Sequence, residues 1–348
     1  MSQSGPVGPS IWVVSDGRAG IEKQAVALAR ALCEFDRWSR LSHIRSNAHR
    51  SGPIRIAPKP PQVWLPPTMW PAPFLALSKA DQEVLSPPWP DIWIGSGRRA
   101  APYSMKVREL SGGQTFVIQT QNPKVPLNHF DLVVPPEHDQ LSGPNVVSTV
   151  GAPAYFPTED IEDAALKFPD LQAEPGRKIA VIIGGKSKTH TLTEARLTEI
   201  ESELQRLAGK GARLWISVSR RTPEFARIRL RQLAETVGGR FFESESIDGP
   251  NPYLAYLSLS DAILVTEDSA NMISEAAWFG KPVYMIRMQG KSAKFDRMHD
   301  SFLKNGVARW FEGQIDDWSP EPLREVERVA DIIVEKVLER HPRRTNAA

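Results

Sequence analysis

The strongest constraint on what this chain can fold into is a rhythm. Short runs, apolar on both faces, keep returning, and each is followed by a small polar loop and then a helix-length segment. A strand apolar on both faces must be covered on both faces, which is the habit of parallel sheets layered between helices. Early in the chain the runs are Ile11-Trp12-Val13-Val14, Asp91-Ile92-Trp93-Ile94, Thr115-Phe116-Val117-Ile118 and Asp131-Leu132-Val133-Val134. The loop Ser15-Asp16-Gly17-Arg18-Ala19-Gly20 leads into a helix with Ile21, Ala25, Leu28, Leu32 and Phe35 on one face.

A second series opens with Ile179-Ala180-Val181-Ile182-Ile183 and continues through Leu214-Trp215-Ile216-Ser217-Val218-Ser219 and Arg240-Phe241-Phe242. It ends with Ala262-Ile263-Leu264-Val265 and Pro282-Val283-Tyr284-Met285-Ile286. Between these runs, Thr191 and Glu194 read as a capping box for a helix with Leu197, Ile200, Leu204 and Leu207 on one face. Thr222 reads as the cap of the next helix, with Pro223 in its first turn. The rhythm predicts an α/β protein of two Rossmann-like, doubly wound domains facing a cleft.

At 348 residues the chain has the length of about two domains. Residues 146–175 are rich in proline and acidic side chains, lack a strong period, and hold the expected boundary. That places a first domain at 1–155, a linker at 156–176, a second domain at 177–318, and a helix with its tail at 319–348. The final amphipathic helix, roughly 322–340, is expected to cross back over the first domain.

Charge excludes one large class of function. Charged residues make up 24% of the chain and the net charge is only +2, so no nucleic-acid footprint is present. The lone Cys33 rules out an internal disulfide and is expected to be buried on the apolar side of its helix. Residues 1–10 lack a signal-peptide pattern, and no run approaches the ~18 apolar residues of a membrane span. A reducing, cytoplasmic setting is the expectation.

The polar loops hold the candidate chemistry. After Val265, Thr266-Glu267-Asp268-Ser269-Ala270-Asn271 begins a short helix that Gly280 stops. Unpaired N–H groups and partial positive charge at such a helix start suit a diphosphate. Glu275 lies further along that helix, where a carboxylate accepts hydrogen bonds from a ribose. An ordinary strand-to-helix connection is the plain alternative.

Gly184-Gly185-Lys186-Ser187 lacks the spacing of a phosphate-binding loop of NTPases, and no G-x-G-x-x-G follows the first strand. There is no Asp-x-Asp, no histidine spacing suited to a metal, and no G-x-S-x-G. A required metal or resident cofactor is therefore not expected.

Taken together, Ser15-Asp16-Gly17-Arg18-Ala19-Gly20 with Gln24, Gly95-Ser96-Gly97-Arg98-Arg99 and Gln121-Asn122-Pro123 carry a resemblance. Gly184-Gly185, Ser219-Arg220-Arg221-Thr222-Pro223, Thr266-Glu267-Asp268-Ser269 and Gly280-Lys281-Pro282 extend it over most of the chain. The pattern resembles the two-domain nucleotide-sugar transferases of GT-B fold, and within them the family of the plant elongated-mitochondria (ELM1-like) fission protein. The resemblance implies a nucleotide-sugar donor site in the second domain. There the diphosphate would lie at Ser269, Ala270 and Asn271, and Glu275 would be the ribose-binding acid.

An inverting glycosyl transfer needs a base for the acceptor and positive charge for the departing diphosphate. Asp16 is the candidate base, with helix capping as its alternative; Arg220 and Arg221 are the candidate diphosphate clamps. Gly184, Gly185, Lys186, Ser219, Glu267 and Asp268 join the donor side. Gly17, Arg18, Gly20, Gly97, Arg98, Gln121 and Asn122 join the acceptor side, where Arg99 would add charge.

Residues 61–77 are apolar, tryptophan-bearing and proline-broken, with Lys59 and Lys79 at the flanks. They suggest a peripheral patch that reaches a lipid-linked acceptor at the inner membrane surface; a loop packed on the first domain is the alternative. The leading expectation is a metal-independent transferase. A nucleotide-sugar epimerase using Glu267, Asp268 and Asp16 is the second, and a non-catalytic adaptor the third.

Overall fold

The computed structural model describes residues 9–34, 38, 52–60, 64–70 and 72–340. Phe35 of the expected first helix face, residues 1–8, and residues 61–63 and 71 of the proline-broken segment lie outside the described residues. The chain divides into two units: Met1–Thr149 with Pro153–Tyr155 and Arg324–Ala348, and Val150–Ala152 with Phe156–Leu323.

The first unit is built on β1 (Ile11–Ser15), β2 (Ile54–Arg55), β3 (Ile92–Ser96), β4 (Phe116–Thr120) and β5 (Leu132–Val134), all parallel. Their order is β2-β1-β3-β4-β5. Every residue of β1, β3, β4 and β5 is buried, which explains why these strands read as unbroken apolar runs. Helices α1 (Ala19–Leu32), α2 (Lys79–Val84) and α3 (Ala101–Leu110) belong to this unit. Cys33 is exposed at the carboxyl cap of α1, not buried as its apolar-face position suggested, because the helix ends one residue earlier.

The second unit begins with α4 (Thr158–Lys167) and α5 (Pro169–Ala173), whose Ala164 and Leu171 enter its core. There follow β6 (Lys178–Ile183), β7 (His190–Thr191), α6 (Glu194–Gly209), β8 (Arg213–Val218), α7 (Glu224–Val237) and β9 (Arg240–Phe242). Helices α8 (Glu245–Asp248) and α9 (Tyr253–Leu259) precede β10 (Ala262–Thr266) and α10 (Ala270–Ala277). The unit closes with β11 (Val283–Ile286), β12 (Gln289–Gly290), α11 (Ala293–Lys304) and β13 (Arg309–Trp310). The main sheet has the order β13-β11-β10-β6-β8-β9 and is parallel throughout.

Two helix starts differ from expectation. Thr193, not Thr191, caps α6 by accepting the Arg196 N–H at 3.3 Å. Thr191 is instead held in β7, paired with Gln289 of β12. Thr222 does not cap α7, which starts at Glu224 behind Pro223; its hydroxyl turns to the loop after β6.

The last helix, α12 (Glu325–Arg340), packs in the first unit. Val326, Val329, Ala330, Ile333, Val334 and Val337 recur at helical spacing and share a core cluster with Ala25, Leu28 and Leu32 of α1. Each fully buried valine or isoleucine contributes about 1.5–3 kcal/mol. Arg340 adds an ion pair to Asp131 at 3.1 Å. Among the described residues no helix is long and apolar enough to cross a membrane.

Candidate functional site

Strand order decides where a doubly wound sheet can hold a ligand: beyond the carboxyl ends, at the point where the winding reverses. In the second unit the chain winds one way through β6, β8 and β9 and the other way through β10, β11 and β13. The reversal lies between β6 and β10, so the loops beginning at Gly184 and Glu267 flank it. In the first unit it lies between β1 and β3, next to Asp16 and Gly97.

At the second unit's reversal, Asp268 is the organising residue. Its side chain is wholly buried and stands 2.7 Å from the Arg221 guanidinium. The Thr266 hydroxyl donates to its Oδ1 at 2.7 Å, and the Gly185 N–H to its Oδ2 at 3.3 Å. Thr266 also accepts the Gly184 N–H at 2.7 Å. From the other side, the Thr222 hydroxyl donates to the Gly184 carbonyl at 2.5 Å and accepts the Ser219 N–H at 3.0 Å.

The paired glycines have a reason inside the protein. A Cβ on Gly184 would stand 2.0 Å from Asp268 Oδ1, and one on Gly185 would stand 2.0 Å from the Arg221 carbonyl oxygen. They let two loops close on each other, so Gly184, Gly185, Ser219, Arg221 and Asp268 form one assembly. Lys186 and Arg220 are exposed beside it; Lys186 joins through its backbone N–H, 3.1 Å from the Arg221 carbonyl.

Helix α10 starts directly after Asp268. Ser269 caps it by accepting the Met272 N–H at 3.4 Å, and Ser269, Ala270 and Asn271 are half-buried. Glu275 is buried, and the Tyr253 hydroxyl of α9 donates to its Oε2 at 2.6 Å. Burial, reinforced by the Glu275 charge, drives the Tyr253 phenol well above its ordinary range. The hydroxyl thus stays protonated and fixes the carboxylate.

Glu267 points its chemistry elsewhere. Its Oε1 accepts the Met288 N–H at 2.5 Å, and its carbonyl lies 2.9 Å from His299 Nε2. A carbonyl can only accept, so Nε2 carries the proton. Burial lowers the His299 pKa from its ordinary value, although the neighbouring Glu267 opposes the shift. Lys281, of the Gly280-Lys281-Pro282 motif, donates to the carbonyls of Ser258 and Ser260, and burial lowers its pKa to about 8.

In the first unit, Asp16 does not cap α1. Its side chain is 1% exposed and holds Arg18, whose Nε lies 3.0 and 2.9 Å from the two carboxylate oxygens. Gly17 adopts φ +77, a left-handed turn that glycine takes without strain. Gln121, φ +64, donates from Nε2 to Gln24 at 3.2 Å, and the Asn122 side chain accepts the Lys124 N–H at 2.9 Å. Gly20, Arg98 and Arg99 are exposed, and Gly97 is buried against Ile21.

Sequence reasoning named Thr266 and Thr222 without giving either a place in the site, and it missed Tyr253, Glu22 and Arg55. Glu22 left a signal, an acid on the apolar side of α1. It is buried, bound by the Ser15 hydroxyl, and held below the usual carboxylate range by Arg55, whose Nη2 lies 2.7 Å away. Arg55 left none, since β2 is a bare pair of residues in a polar stretch.

A family model described as "Mitochondrial fission ELM1" matches residues 19–337. The chain is 29% identical over 270 residues to the mitochondrial fission protein ELM1 of Arabidopsis thaliana, a match covering 69% of this chain and 62% of the plant protein. It is 26% identical to an uncharacterised protein of Rickettsia prowazekii, over 93% of this chain and 97% of that one. Among solved structures, a UDP-GlcNAc 2-epimerase from Methanocaldococcus jannaschii superposes with a TM-score of 0.51 at 11% identity. That match covers 94% of this chain and 99% of the epimerase. The likeness shows the fold, parallel doubly wound sheets of the GT-B type, and nothing of the chemistry.

Proposed function

This chain belongs to the mitochondrial fission ELM1 family, and on that footing we propose that it is a GT-B-type glycosyltransferase using a nucleotide-activated sugar. One observation carries the proposal. The half-buried start of α10 stands at the sheet's winding reversal, and Arg221 is bonded to the residue just before its cap. First-turn N–H groups and a fixed guanidinium both favour phosphate oxygens.

In this reading Ser269, Ala270 and Asn271 hold the donor diphosphate and Glu275 takes the ribose hydroxyls. Arg221 and Arg220, with Lys186, meet the charge of the leaving diphosphate, so the chemistry needs no metal. Gly184, Gly185, Ser219 and Asp268 keep Arg221 in place, and Glu267 anchors the loop after β11. Asp16, Gly17, Arg18, Gly20, Gly97, Arg98, Gln121 and Asn122 serve the acceptor, with Asp16 as its base. A lipid-linked acceptor at the inner membrane surface agrees with the exposed Trp64, Met69 and Leu75.

The epimerase reading asks for three acids, Glu267, Asp268 and Asp16, whose side chains are all buried and already engaged, whereas the transfer asks only Asp16, which must leave Arg18 to act as base. An adaptor that only recruits partners would bind no donor.

Thermal-shift measurements against UDP-, GDP-, CMP- and ADP-sugars test the proposal. A donor at 100 times its dissociation constant stabilises the fold by about 2.7 kcal/mol. One of them is expected to shift the wild type and to fail with Glu275→Ala. No shift from any donor would overturn the transferase.

A further inference from the structure

We propose that Arg227 is a positioning residue: its guanidinium fixes the backbone on either side of Arg221 and so sets the diphosphate clamp. This role rests on the transferase reading above and extends it to a residue that itself meets no substrate.

Arg227 lies near the amino end of α7, behind Pro223, where no side chain caps the helix. Partial positive charge gathers at a helix start, so a cation is disfavoured there unless groups outside the helix hold it. Three groups do. Nε donates to the Thr222 carbonyl at 2.8 Å, Nη2 to the Arg220 carbonyl at 3.3 Å, and Nη1 to Glu243 Oε1 at 3.1 Å. The two carbonyls stand on either side of Arg221. The carbonyl between them, that of Arg221, accepts the Lys186 N–H at 3.1 Å. Three successive carbonyls of the clamp loop are therefore engaged, two of them by one planar group. A rigid fork fixes its acceptors relative to each other, which a flexible ammonium does not.

The fork is itself held. Glu243 directly follows β9, which pairs with β8, the strand that leads into the clamp loop. Its Oε2 takes Nη2 of Arg231 at 3.3 Å, and its N–H donates to Asp248 Oδ2 at 2.7 Å. Arg231 also donates to Asp248 Oδ1 at 2.8 Å. The Arg227 and Glu243 side chains are 31% and 19% exposed, so their pair is partly out of water and holds better than a solvated one. Asp268 thus fixes the tip of Arg221, and Arg227 fixes the backbone from which that side chain springs. A group that must meet phosphate oxygens in one geometry depends on both.

The test is isothermal titration of the full chain with UDP, GDP, CDP and ADP, comparing the wild type with Arg227→Gln, Arg221→Gln and the double variant. The diphosphate that the wild type binds should bind Arg227→Gln about tenfold more weakly, while melting stays cooperative. The double variant should bind no more weakly than Arg221→Gln alone, because Arg227 acts through Arg221. Arg227→Lys, which keeps the charge without the fork, should fall between the wild type and Arg227→Gln, and it carries the comparison if the glutamine variant does not fold. Arg229→Gln is the control: Arg229 is 32% exposed on the same helix and pairs with Glu201 of α6, and its loss should leave binding unchanged. Undiminished binding by Arg227→Gln and Arg227→Lys, or losses that simply add in the double variant, would overturn the positioning role and leave the donor site standing. If no nucleoside diphosphate binds the wild type, the transferase reading falls and the role of Arg227 falls with it.

Discussion

Arg221 and Asp268 form an ion pair of 2.7 Å in which the carboxylate is wholly buried and the arginine side chain is 42% exposed. The buried partner is therefore the vulnerable one. Arg221→Met leaves Asp268 with Thr266 and the Gly185 N–H but no counter-charge. The expected loss is about 1–3 kcal/mol of stability, read as a lower urea midpoint. An unchanged midpoint would mean that solvent already balances the Asp268 charge.

The Tyr253–Glu275 bond separates positioning from binding. Tyr253→Phe removes a hydroxyl from a buried carboxylate and is expected to cost about 1 kcal/mol in stability. If Glu275 meets a donor ribose, the same change also weakens donor binding modestly, and Glu275→Gln weakens it more. Titration of both variants with the donor identified by thermal shift checks the ranking. Equal affinity in all three proteins would remove Glu275 from the ribose.

His299 makes the protein acid-sensitive. Burial holds its folded pKa below the ordinary 6.5, while the unfolded chain takes up its proton near that value. Between the two values the unfolded state binds more protons, so stability falls as pH drops below about 6.5. The slope is at most ~1.4 kcal/mol per pH unit. Glu267, His190 and Asp296 share its field, so the decisive comparison is the wild type against His299→Gln. Unfolding midpoints at successive pH values from 8 to 5 should show a shallower decline in the variant.

The tryptophans of the proline-broken segment have separate fates. Trp70 is buried against Tyr103, with ring centroids 6.0 Å apart, whereas Trp64 is 77% and Leu75 74% exposed. If the segment meets a membrane, Trp64→Ala with Leu75→Ala should reduce flotation with anionic vesicles. Trp70→Ala should instead cost about 3–5 kcal/mol in stability through the cavity it leaves. Equal flotation of the wild type and the exposed-residue pair would dismiss the membrane contact.

Much of the fold was legible because its signals are local. Runs such as Ile179–Ile183 or Ile92–Ile94 need only their own residues to announce burial on both faces. Helix starts were less legible. Thr191 and Thr222 read as caps, but the β7–β12 ribbon holds the one and the Gly184 carbonyl the other, and Thr193 caps α6 instead. Cys33 went astray for a related reason: periodicity assigns a face but does not say where the helix ends.

The loops were found as polar punctuation, yet their partnerships were not. Gly184 meets Thr266 across 82 residues of chain, and Ser15 meets Arg55 by strand register. By itself the amino-acid sequence determined the α/β layering, the polar strand ends and the apolar stripe of the last helix, because each is written in residues a few positions apart. Only the tertiary structure decided the strand order, and with it that Gly184 and Glu267 flank one winding reversal, that Asp268 is buried beneath Arg221, and that Arg55 stands beside Gly17. Parallel strands pair across long crossovers, so neighbours in the sheet are set by packing that no local pattern records.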